Sequence, residues 1–339
     1  MRVVITGGGT GGHLKVADAF IEEYSKRGIK PIFIGSINGQ DKDWFENDKR
    51  LYKTYFLETR GVVNKKGFGK ISSLFQILKA MNRCFDIFDD YEVKTVISVG
   101  GFSAAPATFA SILTWGCKLY IHEQNSVMGR LNELTSKFAT KVFSSFDSKS
   151  LIKDYPVSDE FFDNARIRDE IKTIIFLGGS QGATAINNFA LKVAPKLNSL
   201  GLKIIHQTGK NDFDRVFKEY KKMGIEADVF PFSKEIAKKM SDADFAVSRS
   251  GASTLWELCA NSLPTLFVPY PYAAKDHQYT NAKFLEDKGL CYISREKDLT
   301  EELLIEVLKK DNFTISKKLV DSISCDAVES IVNLIDDKK

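Results

Sequence analysis

The chain has little of what marks a disulfide framework, a metal centre, a nucleic-acid binder or a membrane span. Its five cysteines, Cys84, Cys117, Cys259, Cys291 and Cys325, are scattered, with no CxxC pair. They read as reduced core thiols of a cytosolic protein. The four histidines lack HxxxH spacing and no cysteine stands near one at ligand spacing, so no metal is expected. Two short acidic patterns, Asp41-Lys42-Asp43 and Asp242-Ala243-Asp244, do not change this, and the second abuts a strand as a charge cluster at a helix end. Charge of one sign is also lacking: 48 Lys and Arg against 44 Asp and Glu leave a net charge of +4, too weak to argue for nucleic acid. The apolar opening Arg2-Val3-Val4-Ile5 runs straight into glycines, too short for a secretory signal. The uncharged stretch 95–117 contains Gly100-Gly101 and Pro106. A spanning helix needs about 20 predominantly apolar residues, so this stretch predicts a buried strand, a Gly turn and a helix with Pro106 near its start.

What is present is alternation. Short apolar runs at 3–6, 32–35, 95–99, 119–122 and 141–144, then at 173–177, 203–207, 228–230, 245–248, 265–268 and 291–293, alternate with longer amphipathic ones. Strand–helix alternation rich in Val, Ile and Phe predicts an α/β fold with parallel sheets covered on both faces. There is also an internal echo. Val3-Val4-Ile5-Thr6 leads into Gly7-Gly8-Gly9-Thr10-Gly11-Gly12-His13 and a helix, and Thr173-Ile174-Ile175-Phe176-Leu177 leads into Gly178-Gly179-Ser180-Gln181-Gly182-Ala183 and a helix. The 339 residues are enough for two cores. We therefore expect two Rossmann-like, doubly wound domains, 1–160 and 161–315, joined in the mixed-charge stretch around Pro156, with 316–339 returning to the first. Ligands bind such sheets at the carboxyl ends of the strands, so the two Gly loops would face a shared cleft.

The first loop matches GxGxxG, but the second strand ends Ile34-Gly35-Ser36 without the acid a dinucleotide ribose needs. It reads as a close-approach loop for another phosphate or sugar, or else as a tight turn. His13, where the loop becomes a helix, is either a neutral base or a helix cap. Ser180 offers a hydroxyl beside the N–H groups that a diphosphate leaving group needs. The segment Arg249-Ser250-Gly251-Ala252-Ser253-Thr254-Leu255-Trp256-Glu257 is rich in small residues that admit a ligand. Glu257 would accept two bonds from a ribose diol, or simply be an acid in a helix's first turns. After the stiff run Pro269-Tyr270-Pro271-Tyr272, Gln278 and Asn281 share one helix face and suit a hydroxyl-rich sugar. His122-Glu123-Gln124-Asn125 at a strand's carboxyl end reads as site lining. In 61–88, Ile71, Leu74, Phe75 and Leu78 make one helical face among Lys65, Lys66, Lys70 and Lys79. That face suits either an anionic membrane surface or a protein core.

Taken in order from residue 7 to residue 282, these segments resemble the bacterial peptidoglycan N-acetylglucosaminyltransferases that convert lipid I to lipid II. The matching residues are Gly8 to His13, Gly100-Gly101-Phe102, His122 to Asn125, Gly178 to Ala183, Arg249 to Ala252 with Thr254 and Glu257, and Asp276-His277-Gln278 with Asn281-Ala282. The resemblance implies a GT-B fold and an inverting, metal-free and cofactor-free transfer. The donor would be UDP-N-acetylglucosamine and the acceptor undecaprenyl-diphospho-N-acetylmuramyl pentapeptide. The enzyme would sit peripherally on anionic lipids at the cytoplasmic face of the inner membrane. Carried over by residue, Thr10, Gly11, Gly12 and Asn125 would line the donor sugar and acceptor, and Ser180 would meet the diphosphate. Ala252, Ser253, Thr254, Leu255, Trp256 and Glu257 would hold diphosphate and ribose, Gln278 the sugar, and Ser233 would lie near uracil. His13 is the candidate catalytic base. One departure stands out: where the family has Asn-Pro-Val-Arg at the interdomain link, this chain has Tyr155-Pro156-Val157-Ser158, leaving Arg166 or Arg168 as possible substitutes.

Overall fold

The computed structural model describes residues 2–61, 68–179 and 182–337, with the main chain alone at 68–72. Two compact units partition it: Met1–Pro156 with Asp326–Lys339, and Val157–Cys325. The first unit runs β1 (Arg2–Thr6), α1 (Gly11–Lys26), β2 (Ile32–Ser36), α2 (Asp41–Phe45), β3 (Lys53–Leu57) and α3 (Phe68–Asp90). It continues with β4 (Val93–Ser98), α4 (Ala105–Leu113), β5 (Lys118–Glu123), α5 (Arg130–Thr135) and β6 (Lys141–Ser144). The second unit runs α6 (Asp159–Asp163), β7 (Thr173–Leu177), α7 (Thr184–Ser199), β8 (Lys203–Gln207), α8 (Phe213–Met223), β9 (Ala227–Phe230) and α9 (Ile236–Ser241). Next come β10 (Phe245–Ser248), α10 (Ala252–Ala260), β11 (Thr265–Phe267), α11 (His277–Glu286), β12 (Tyr292–Ile293), α12 (Glu301–Leu308) and α13 (Asn312–Val320). The closing helix α14 (Ala327–Asp336) belongs to the first unit.

Each unit holds a six-stranded sheet, β3-β2-β1-β4-β5-β6 and β9-β8-β7-β10-β11-β12. Every pairing is parallel. Parallel strands need long crossovers, and here helices supply them, so both sheet faces are covered and strands such as Ile174–Leu177 are wholly buried. Helix α1 shows the matching pattern: Leu14, Ala17, Ile21 and Tyr24 recur at three- and four-residue intervals and are all buried. The strand order turns back between β1 and β4 and again between β7 and β10. Register aligns Thr6 with Ser98 and Leu177 with Ser248, so the loops on either side of each turning point leave their sheet together.

Three features differ from the sequence expectation. The edge strand β3 was not anticipated; it lies half-exposed at the rim of the first sheet. The chain leaves the second unit only at Cys325, because α13 is anchored there: Ser316 Oγ donates to Ser262 O at 2.7 Å and accepts the Arg168 N–H at 2.9 Å. Only α14 returns, fastened to α1 through Tyr24 Oη on Asp336 at 3.4 Å and Arg27 Nη2 on Glu329 O at 3.2 Å. Finally, both candidate linker arginines serve the fold. Arg166 pairs with Asp244 at 2.5 Å and donates to Ala243 O at 3.0 Å. The buried Arg168 donates to Met240 O, to Ala243 O and to both oxygens of Asn261. These partners lie before β10 and after α10, at the end of the sheet away from the strands' carboxyl termini.

Each core also buries a histidine. His206 on β8 is satisfied on both nitrogens, by Tyr220 Oη at 3.1 Å and Asn187 Oδ1 at 3.0 Å. His122 on β5 packs edge-on to Phe20 and Tyr155. Burial pushes both imidazoles down to about 3. An unfolded histidine takes a proton below about pH 6.5, whereas these stay neutral in the native state until about pH 3. Between those limits the unfolded chain binds more protons, so stability falls with acidification by about 1.4 kcal/mol per pH unit for each group. Urea unfolding at pH 7 and pH 5 should therefore show a loss on the order of 2 kcal/mol for each unit. His206→Gln should flatten the slope of the second unit, and an unchanged slope would contradict neutral burial.

Candidate functional site

The loop after β1 is built by glycine against its neighbours. Gly9 and Gly101 have φ of +83° and +84°. A Cβ on Gly9 would lie 2.3 Å from the Phe102 ring, and one on Gly101 would lie 2.2 Å from Gly8 O. The Gly8 N–H donates to Gly100 O at 3.2 Å. The two Gly turns, after β1 and after β4, thus interlock in a way that no residue with a Cβ permits.

Asp41, missed in the sequence reading as a functional residue, completes this loop. It is fully buried, and its carboxylate accepts the Gly9 N–H at 2.5 Å and the Ser36 N–H at 2.9 Å. Burial raises its pKa, opposed by those two amides. The amide a pyrophosphate would seek is therefore already bonded, and a carboxyl group stands in its place. This is a stronger argument against a dinucleotide here than the missing acid on β2.

Thr10 is the N-cap of α1 and His13 its third residue, so His13 is not the cap. Thr10 Oγ1 lies 2.9 Å from His13 Nδ1. A Cβ on Gly100 would be 3.6 Å from His13 Nε2 and 3.3 Å from Asn132 Nδ2, so the ring edge lies over the second Gly turn. In the tautomer that carries its proton on Nδ1, that nitrogen donates to Thr10 Oγ1 and Nε2 is the basic one. Gly11 and Gly12 form the first turn of α1.

The four-residue polar run after Ile121 divides. His122, Glu123 and Gln124 are buried, and only Asn125 is half-exposed. Glu123 organises the loop, accepting the Asn125 N–H at 2.9 Å, the Gly129 N–H at 2.9 Å and Asn132 Nδ2 at 2.8 Å. Gln124 Nε2 donates to Val99 O at 3.1 Å. The run supports the site more than it lines it.

In the second unit, Gly178 and Gly182 make close approaches: a Cβ would lie 2.5 Å from Ala183 N and 2.3 Å from Thr208 O respectively. Gly179, at φ +80°, faces open space. Ser180 and Gln181 lie outside the described residues. Helices α1, α7 and α10 all start at the carboxyl ends of strands, and none has a side-chain cap. Thr300 and Asp311 cap α12 and α13, whereas most other described helices also start without a side-chain cap. A helix start beside a glycine turn at a strand's carboxyl end is the kind of place that receives anions.

Of the run 252–257, Leu255 and Trp256 point into the core, Trp256 against Phe284 at 6.3 Å between ring centres. Ala252, Ser253 and Glu257 are buried and Thr254 is half-exposed. Ser233 Oγ accepts the Glu235 N–H at 3.0 Å beside the exposed Phe232. The Tyr270 N–H bonds Gln278 Oε1 at 3.0 Å, leaving the Gln278 amide N–H groups as donors. Ser250 Oγ donates to Gln278 O at 2.8 Å, and Asn281 Nδ2 to Ser250 O at 3.2 Å. Thus Gln278 and Asn281 do come together with the loop after β10. Lys275 and Asp276, both non-glycine, have φ of +52° and +55°, a conformation costing about 1–2 kcal/mol per residue.

Comparison with known proteins agrees with this geometry. The glycosyltransferase family 28 N-terminal domain matches residues 3–144 and its C-terminal domain residues 173–335. The chain is 54% identical to the UDP-N-acetylglucosamine--N-acetylmuramyl-(pentapeptide) pyrophosphoryl-undecaprenol N-acetylglucosamine transferase of Campylobacter jejuni, over 94% of this chain and 93% of that one. It is 48% identical to the protein of the same name from Sulfurovum, covering 99% and 98%. The crystal structure of Acinetobacter baumannii MurG superposes with a TM-score of 0.80 at 28% identity, covering 98% and 99%. A Staphylococcus aureus MnaA–UDP structure, at 13% identity and a TM-score of 0.66, shares the fold alone. The chain is a GT-B glycosyltransferase of family 28 and belongs with the UDP-N-acetylglucosamine--N-acetylmuramyl-(pentapeptide) pyrophosphoryl-undecaprenol N-acetylglucosamine transferases.

Proposed function

We propose that this chain transfers N-acetylglucosamine from UDP-N-acetylglucosamine to undecaprenyl-diphospho-N-acetylmuramyl pentapeptide, the lipid I to lipid II step of peptidoglycan synthesis. The observation that carries the reading is the set of glycine turns leading into helices at the carboxyl ends of both sheets, in a chain about half identical to relatives named for that reaction. The second unit receives the donor. Amides of the 178–183 and 250–254 turns meet the diphosphate, Glu257 the ribose, Ser233 the uracil and Gln278 the sugar hydroxyls. Leu255 and Trp256, whose side chains are core, take part only through their main chain. As the glycosidic bond breaks, charge grows on the departing UDP, and amide dipoles fixed in advance stabilise it without reorganising.

The first unit receives the acceptor. Thr10, Gly11, Gly12 and Asn125 line its place, and His13 Nε2 takes the proton of the attacking 4-hydroxyl while Thr10 holds Nδ1. Attack from the face opposite UDP inverts the anomeric carbon. A membrane-facing surface follows from exposed apolar side chains of the same unit. Leu74, Phe75 and Leu78 on α3 are exposed while Ile77 and Ala80 turn inward. Of the sequence face, Lys65 and Lys66 lie outside the described residues, as do the side chains of Lys70 and Ile71. Helix α3 packs on α4, whose end carries Leu113 and Trp115, the latter 96% exposed. No described helix is long and apolar enough to cross a membrane. A peripheral seat on anionic lipid at the cytoplasmic face fits these features.

Purified protein given radiolabelled UDP-N-acetylglucosamine and a short-chain lipid I analogue should yield the disaccharide lipid with inverted anomeric configuration. Transfer to diacylglycerol in its place would contradict the acceptor assignment. His13→Ala should lower kcat by about a hundredfold or more, and a near-normal kcat would exclude it as base. Phe75→Ser combined with Trp115→Ser should weaken sedimentation with phosphatidylglycerol vesicles while leaving transfer to the water-soluble acceptor intact. Undiminished vesicle binding would remove these side chains from the membrane surface.

A further inference from the structure

Two consecutive side chains just past β12 reach into two different loops of the donor unit. Arg295 forks onto Asp276, with Nη1 on Oδ1 at 3.0 Å and Nη2 on Oδ2 at 2.6 Å, and its guanidinium lies 3.9 Å over the Tyr279 ring. Glu296 accepts Arg249 Nη2, while Arg249 Nη1 donates to Val268 O at 2.9 Å and Pro269 O at 3.2 Å. The turn that carries both is tied to the sheet, since the Ser294 N–H donates to Phe267 O at 2.9 Å. Neither Arg295 nor Glu296 is among the residues assigned above to the donor.

Asp276 shows what the contact does. It occupies the N-cap position of α11, where an aspartate ordinarily accepts an amide of the first turn. Here no side-chain cap forms; the carboxylate is turned to Arg295. Asp276 and Lys275 both stay in the left-handed region, at φ +55° and +52°. Two residues further on, Gln278 takes the Tyr270 amide at 3.0 Å and its carbonyl takes Ser250 Oγ at 2.8 Å. The fork thus holds the residue that begins α11, two positions before Gln278, in this conformation.

We propose that Arg295 and Glu296 form a clasp that positions the donor-receiving loops. Arg295 fixes the start of α11, and hence Gln278, and Glu296 fixes Arg249 and the turn after β10. Both are positioning residues acting through others. The inference rests on the donor reading above, and it deepens that reading by naming what holds the sugar-contacting residue in place. A bidentate fork is the property a lysine lacks, so the arginine is required for its shape and not only its charge.

The test uses full-length protein and steady-state kinetics with both substrates varied, beside UDP calorimetry and thermal melting. Arg295→Gln and Asp276→Asn should each raise the KM for UDP-N-acetylglucosamine about tenfold, with kcat and the KM for acceptor changed less than about threefold. Their combination should be no worse than either alone. Arg295→Lys should recover only part of the loss, and Glu296→Gln should weaken UDP binding in the same direction. A lowered melting temperature with an unchanged donor KM would reduce the clasp to a stability element and overturn the proposal, as would full rescue by Arg295→Lys. If Arg295→Gln does not fold, Asp276→Asn and Arg295→Lys carry the same comparison. Failure of the unaltered protein to bind UDP would instead overturn the donor reading itself.

Discussion

The constraint on which the rest depends is the turning point in each parallel sheet. Between β1 and β4, and between β7 and β10, the crossovers depart to opposite sides. The loops at the carboxyl ends of these strands are therefore not covered by a crossing helix and can meet a ligand. The Gly turns after β1, β4 and β7 and the small-residue run after β10 emerge there, and the polar run after β5, Ser233 after β9 and Gln278 after β11 follow at the carboxyl ends of the same sheets. The opposite end of the second sheet carries the structural pairs instead, with Arg166, Arg168 and Asp244 closing it.

Glycine at these turns has two distinct functions. In the first unit it lets two backbone turns touch, Gly101 against Gly8, and lets a buried carboxylate bond the Gly9 amide. That arrangement occupies the Gly9 amide and leaves the His13 ring over the second Gly turn. In the second unit Gly179 remains open, while Gly178 and Gly182 press their turn against Ala183 and Thr208. One motif repeated in sequence thus gives two differently built turns, one closed on a buried carboxylate and one with an open glycine.

Much of this was legible in the sequence, for physical reasons that can be named. Buried strands such as 173–177 and 245–248 are continuous apolar runs bounded by glycine or serine, so type and limits both showed. Pro106 marked the start of α4 because its fixed φ suits a first helical turn. The strand β3 did not show, because an edge strand with the sequence Lys53-Thr54-Tyr55-Phe56-Leu57 carries no alternation or full burial to betray it. Among site residues, Asn281 and Gln278 stood out by their shared helix face. Asp41 and Glu123 did not reveal their roles, since a carboxylate that bonds distant backbone amides looks like any other acid in the chain. Arg295 was invisible for the same reason: its partner Asp276 lies 19 residues away.

The central claim is most directly tested by following backbone amides of the isotopically labelled protein by NMR as UDP is added. The account predicts that the shifted amides gather at the carboxyl ends of the second sheet, in 178–184, 250–257 and 276–279, with the first unit's Gly9 amide unmoved because Asp41 already holds it. Shifts centred on the Gly turns after β1, or on the opposite end of the second sheet around Asp244, would contradict it.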